Sequence, residues 1–372
     1  MEETGKKRLA IVVIAFVGIV YFFVCAVPLP KELVLEPRWS TALEAPAGPA
    51  AATPPATPVG SDLASAKDLI SFTLGSSFGY FSPEGKVAFS ASMPFGLAIS
   101  DAGYVAYDQL PASLSLRSPQ GLETAKVVEA GYPFYSGKRL FIMRPGQNSA
   151  AELGSDGRVL WQRDFSSLIT AFASSDGLAL FGLMDGSLVG IGKDGSELLS
   201  FSPGGSRVAG IYGCAVSPDG QMVAAISGLD KQRIVVLERR TSAYRVTYHR
   251  WLDSDFRRPV AMGFTEDGRY LAYERPDGFS IYSCEGRSEA RVSSRALKRL
   301  GLSIPERDML IALEGGGDDK NLLCASPKGK RIFSASFGAA DGFLAQRGEA
   351  LFLGMAQSSG ASRIVRLDLR EE

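Results

Sequence analysis

A glycine-centred turn recurs through most of this chain, and its spacing restricts the fold more than any other feature. From about residue 69, short runs rich in Val, Ile, Leu, Phe and Tyr are separated by SDAG (100–103), SSDG (174–177), SPDG (217–220), TEDG (265–268) and SPKG (326–329). Asp-Gly between alternating apolar runs is a strong hairpin signal, because glycine supplies the positive φ of a tight turn. Two interleaved series emerge. One runs Gly103, Gly137, Gly177, Gly220, Gly268, Arg307 and Gly348. The other runs Gly85, Gly121, Gly157, Gly195, a region near Tyr244, Gly286 and Gly329. Seven units of roughly 43 residues match one four-stranded antiparallel blade each, with one series between strands A and B and the other between C and D. The expected fold is therefore all-β, a seven-bladed β-propeller over residues 69–372. Its last blade has three strands near Gly342–Gln346, Ala350–Ala356 and Arg363–Leu369. An open ring would leave sheet edges bare, so a fourth strand is expected from the N-terminal side, at Val87–Ser92.

The repeats also carry a resemblance. CAVSPDGQMVAA (214–225), GFTEDGRYLAY (263–273) and CASPKGKRIFSA (324–335) resemble the repeat of TolB-like and WD-repeat-like propellers. DGSLVGIGKDGSELLSF (185–201) and LGSDGRVLWQ (153–162) are similar to repeats of quinoprotein-like propellers of the BamB type. The likeness covers about four-fifths of the chain, but Trp251 is followed by Leu252, so the Trp-Asp pair of true WD repeats is missing there. These motifs specify fold rather than activity.

The N-terminus reads differently. Leu9–Val27 is nineteen residues without a charge, roughly 28 Å as a helix, preceded by Lys6, Lys7 and Arg8. By the positive-inside rule this predicts a single-pass anchor in the cytoplasmic membrane. Residues 1–8 would lie inside and the propeller on the extracytoplasmic, periplasmic side. Cleavage after Ala26, with Val24 at −3, and lipidation at Cys25 are rival readings that also export the domain. Residues 28–68 read as a linker: Leu43–Gly60 holds five Pro and six Ala, suited to extended polyproline II. Ser61 and Asp62 could cap a short helix after it.

Composition narrows the chemistry. Forty basic and forty acidic residues argue against a general nucleic-acid partner. One histidine, His249, leaves little for a triad or a multi-histidine metal site, and no nucleophile elbow accompanies it. Cys214, Cys284 and Cys324 match neither a zinc spacing nor a disulfide framework and read as buried strand residues. Asp176, Asp219 and Asp267 read as turn formers, since no calcium-loop pattern surrounds them. Gly315–Lys320 (GGGDDK) lacks the Gly-Lys-Ser/Thr ending of a phosphate loop and reads as a B–C connection. No cofactor or metal is expected. The quinoprotein likeness implies one alternative, a quinone-dependent oxidoreductase with a calcium ion and a stacking tryptophan in the channel; only Trp39, Trp161 and Trp251 are available.

A non-catalytic scaffold for other envelope proteins is the expected function, by analogy with similar propellers. B–C and D–A connections share one face of a propeller and A–B and C–D turns the other, and the first carries the longer segments. The expected binding residues are Trp251, Phe256, Arg257 and Arg258 in the D–A connection. Arg144, Arg275, Asp318, Asp319 and Lys320, with Asp230, Lys231 and Arg233, come from the B–C side.

Overall fold

The computed structural model describes residues 13–21, 33–43, 68–107, 109, 113–294, 297–304 and 308–371. Two compact units result. The smaller, Met1–Leu35 with Leu369–Glu372, includes helix α1 over residues 13–21. The nine described residues of α1 span about 13 Å, under half of a hydrocarbon core. No described helix is long and apolar enough to cross a membrane. This corrects the anchor expected over Leu9–Val27, and with it the single-pass inner-membrane topology. Residues 1–12 and 22–32 lie outside the described residues, as do Cys25, Ser61, Asp62 and Arg307.

The larger unit, Glu36–Asp368, carries eight sheets rather than seven. Strand β1 (Leu33–Leu43) comes first in the chain and belongs to the last sheet. Blade 1 has three strands, β2 (Ile70–Leu74), β3 (Ser77–Phe81) and β4 (Val87–Ser92). Blades 2 to 7 have four each. They run from β5 (Gly96–Ser100) to β8 (Glu123–Val127), from β9 (Tyr132–Ser136) to β12 (Val159–Asp164), and from β13 (Ile169–Ser174) to β16 (Glu197–Phe201). The next three run from β17 (Ile211–Val216) to β20 (Ala243–Trp251), from β21 (Met262–Phe264) to β24 (Glu289–Ser293), and from β25 (Leu297–Ile304) to β28 (Arg331–Gly338). Blade 8 is β29 (Asp341–Arg347), β30 (Ala350–Ala356) and β31 (Ser362–Glu371), completed on its outer edge by β1.

The closing strand is thus β1 and not Val87–Ser92. Those residues are committed locally, since β4 pairs in register with β3 around the turn of Gly85. Segment 33–43, read as part of the 28–68 linker, forms an outermost strand, where its Pro37 is tolerated because one edge needs no ladder partner. Trp39 seals the join. Its ring meets Phe81 and Phe352 with centroids 6.4 and 6.0 Å away, and its Nε1–H donates to the Pro83 carbonyl at 3.1 Å. Thr41 Oγ1–H donates to the Gly85 carbonyl at 2.8 Å, and Arg38 Nε–H to Asp368 at 2.8 Å.

The apolar core is a set of wedges between blades rather than one central mass. Leu178, Leu180 and Leu188 of blade 4 pack on Ile211, Val223 and Val235 of blade 5, and the other face of blade 5, with Ile226, Ile234 and Val236, packs on Leu271, Tyr273 and Tyr282 of blade 6. Each blade therefore buries both faces only when its neighbours are present. Cys214 is buried in the wedge between blades 4 and 5, Cys324 is buried in blade 7 and Cys284 lies half-buried; burial pushes all three thiols up to about 12.

Candidate functional site

Aspartates in the tight turns hold the face where A–B and C–D turns lie. In Ser217–Gly220 and Thr265–Gly268 the Oδ1 of Asp219 and of Asp267 accepts the backbone N–H two residues on, each at 3.0 Å, while Gly220 and Gly268 take φ of 70°. These turns are occupied with their own hydrogen bonds, and among the described residues no group of three His, Cys, Asp or Glu side chains could hold a metal.

The opposite face is built differently. The structure brings every expected binding residue to it, because each sits in, or at a strand end beside, a B–C or D–A connection. Their accessibility differs. Trp251 is 46% exposed at the end of β20, with the Arg233 guanidinium 5.5 Å above its ring. Arg257, Asp318 and Asp319 are exposed, and Asp318 accepts from Ser358 Oγ–H at 2.8 Å. Arg144 reaches Glu129 at 3.1 Å and Gln162 at 2.8 Å. Arg275 and Lys320 are buried: Arg275 donates to Asp277 at 3.2 Å and Lys320 Nζ to the Gly317 carbonyl. These two brace loops and offer nothing to a surface ligand.

The connection 252–261 is fastened rather than loose. Gln232, fully buried, donates Nε2–H to the Phe256 carbonyl at 2.7 Å and accepts from Ser254 Oγ–H at 2.7 Å and Phe256 N–H at 3.2 Å. Arg258 stacks 4.6 Å from the Phe256 ring and forks onto the buried Glu274 at 3.0 and 2.6 Å. Phe256 and Arg258 are therefore framework, while Trp251 and Arg257 remain presented. His249 is exposed on β20 among strand residues, with no nucleophile bonded to it among the described residues.

Sequence reasoning passed over the apolar part of this face. Phe95 (71% exposed), Val128 (78%), Leu168, Met184 (53%) and Val208 all lie in D–A or B–C connections, or in the 93–95 connection from blade 1. Part of the set is contiguous. Met184 N–H donates to the Leu168 carbonyl at 2.8 Å, and Leu229 N–H to that of Val208 at 3.1 Å. Gly205, in the same connection as Val208, approaches Trp251 so closely that a Cβ there would fall 2.6 Å from the indole. On the turn side Leu122, Val159, Leu160 and Ile332 are exposed, the last three within outer strands. The loop face is thus the apolar one with aromatic and arginine side chains at its rim.

Beneath this rim, Glu289 gathers donors from Ser280 Oγ at 2.7 Å, Arg250 at 2.8 Å and Tyr248 OH at 2.9 Å. Burial pushes its carboxyl up, but these bonds together outweigh burial and hold it below its ordinary value. A depressed folded-state value stabilises the fold above the unfolded value, near 4.3, and that contribution disappears as pH falls through the folded value. Urea midpoints from pH 7 down to pH 3 are expected to fall less steeply in Glu289→Gln than in the parent. Parallel profiles would remove Glu289 from the acid limb.

All three tryptophans occupy outermost strands: Trp39 in β1, Trp161 in β12 and Trp251 in β20. None lines the channel, so they do not fit a stacked quinone.

An uncharacterized protein of Treponema pallidum (strain Nichols) is 27% identical over 354 residues, 95% of this chain and 93% of that protein. Among solved structures the chain is similar to BamB from Moraxella catarrhalis, with a TM-score of 0.55 and 14% identity over 90% of this chain and 100% of the other. It is also similar to the computationally designed Ika8 protein, with a TM-score of 0.56 and 14% identity over 80% and 96%. At that identity the two structures speak for the fold alone. A family model described as beta-propeller protein matches residues 1–372, and the chain belongs to that family.

Proposed function

We propose that this chain is a non-catalytic protein-interaction scaffold that receives a partner protein on its loop face. The observation that carries the reading is the apolar series from Phe95 to Trp251 on one face, rimmed by Arg233 and Arg257. Large exposed apolar side chains beside arginine are the composition of interface hot spots. Rigid loops supported by a closed ring keep the ordering cost of association low. The exposed, unassisted His249 favours binding over catalysis.

Affinity capture from crosslinked cells, followed by identification of the partner and titration with the purified pair, tests the reading. Trp251→Ala with Met184→Ala is expected to weaken that partner tenfold or more while melting stays within about 2 °C of the parent. Arg257→Glu is expected to slow association in a salt-dependent manner. Undiminished affinity in both would remove the interface from this face.

A further inference from the structure

Strand β2 runs the wrong way for the inner strand of its blade. Ser71, near its start, donates N–H and Oγ–H to Asp101 at 2.8 Å each, and Asp101 follows the end of β5. Gly75, just past its end, donates N–H to Asp341 at 2.9 Å, at the start of β29. Arg347, at the end of β29, also bonds Asp101, so β5 and β29 run alike and β2 lies antiparallel to both. The polarities of β2, β3 and β4 are those of the second, third and fourth strands of the other blades. By polarity, the described residues supply blade 1 with no first strand.

The edge of β2 that faces this place has no strand beside it among the described residues. Its two-residue turn at Gly75–Ser76 makes Leu74 and Ser77 a hydrogen-bonded pair, so alternation turns the backbone groups of Ser71 and Thr73 away from β3. Asp101 and Asp341 cap the two ends of that edge. Between them Thr73, an exposed residue in an otherwise mostly buried strand, has no strand partner for its N–H among the described residues. A cavity of about 510 Å³ lies alongside, between Phe343 of blade 8 and Ile99 of blade 2. Its mouth on the turn face carries Lys138, exposed and with no side-chain partner among the described residues; Glu266 also lines it, and Arg347 there is engaged by Asp101.

We infer that this is a strand-addition site for an extended segment of a partner protein, running antiparallel to β2 and bearing acidic residues at its C-terminal end. Backbone pairing to Thr73 and to the Ser71 carbonyl supplies the register, and antiparallel polarity brings the end of the incoming strand to Lys138. The five residues of β2 span roughly 17 Å, enough for about two ladder pairs and a charged terminus. The site lies in the channel and is independent of the loop-face reading.

The full chain is to be titrated with fluorescein-labelled octapeptides, followed by anisotropy and amide exchange. An alternating threonine–valine peptide ending in two aspartates is expected to bind and to slow exchange of the Thr73 amide. The same peptide ending in two lysines should bind at least tenfold more weakly, and one with proline at alternate positions should not bind. Thr73→Pro removes the donor on that edge of β2 and leaves the β3 ladder intact. It should abolish binding with unchanged melting, and loop-face variants should bind like the parent. Lys138→Glu, a surface change with no fold requirement, should invert the aspartate-to-lysine preference. Equal affinity for all three peptides, or protection that omits Thr73, overturns the inference. So does a Thr73 amide already slow in the free chain and released only by removing residues 44–67, which would make the occupant this chain itself.

Discussion

A chain shortened to begin at Leu69 is expected to lose the single cooperative melt of the propeller, whereas one beginning at Glu36 should keep it. The difference is β1. In a ring of wedge-shaped cores every blade depends on two neighbours, and β1 is the outer strand through which blade 8 is bound to the turn at the base of blade 1. Without it β31 becomes a bare edge, and Phe81 and Phe352 lose the indole that covers them. Trp39→Ala alone removes the ring contacts and the Pro83 bond, a loss of about 3 kcal/mol, or roughly 4 °C in a domain of this size. The full truncation adds the ladder to β31 and the Thr41 and Arg38 bonds. Calorimetry at one scan rate distinguishes the cases. A Leu69 variant that melts as one transition within a few degrees of the parent would show that β1 decorates the ring rather than closes it.

That closure is also where sequence reasoning failed. Glycine turns such as Gly103, Gly220 and Gly268 mark their hairpins because positive φ leaves a residue-type signature. Those series supply the strand periodicity and the sorting of connections to two faces. Blade 1 escaped because it is compressed: three strands fit into residues 70–92, and its first turn, Gly75–Ser76, has no aspartate to announce it. Val87–Ser92 then looked spare and was assigned to closure, which reduced eight blades to seven. Segment 33–43 was lost to the linker because it adjoins the Pro- and Ala-rich run from Leu43 and has no glycine turn to mark it as a strand. At the candidate face, position along the chain identified the connections, but accessibility was set by packing across blades. Nothing local distinguishes the buried Lys320 from the exposed Arg257, or reveals that Gln232 holds the 252–256 backbone.

Arg139→Met is expected to cost about 3–5 kcal/mol, the largest single-residue effect in the ring. Arg139 begins the second strand of blade 3, Arg139–Met143, and forks onto Glu152 of the third, Ser149–Leu153, at 2.7 and 2.6 Å. Both side chains are about one-tenth exposed or less, so water screens them little. Glu152 also accepts Trp161 Nε1–H at 2.7 Å. The remaining Arg139 fork arm donates to the Ser175 carbonyl, also at 2.7 Å, in the first turn of blade 4. One guanidinium therefore neutralises a buried carboxylate and ties two blades together. Methionine keeps much of the stem volume but strands the carboxylate in apolar surroundings with a single neutral donor. The cost should then belong mainly to the orphaned charge, and Arg139→Met with Glu152→Gln should recover about half of it, because the amide oxygen still accepts from Trp161 without a charge. Chemical denaturation of the parent, both single variants and the double variant closes the cycle. A coupling energy under about 0.5 kcal/mol would mean that the pair acts as two independent contacts, and the tie from blade 3 to blade 4 would then rest mainly on ring contacts, Phe134 and Phe141 with Phe172 and Trp161 with Phe181.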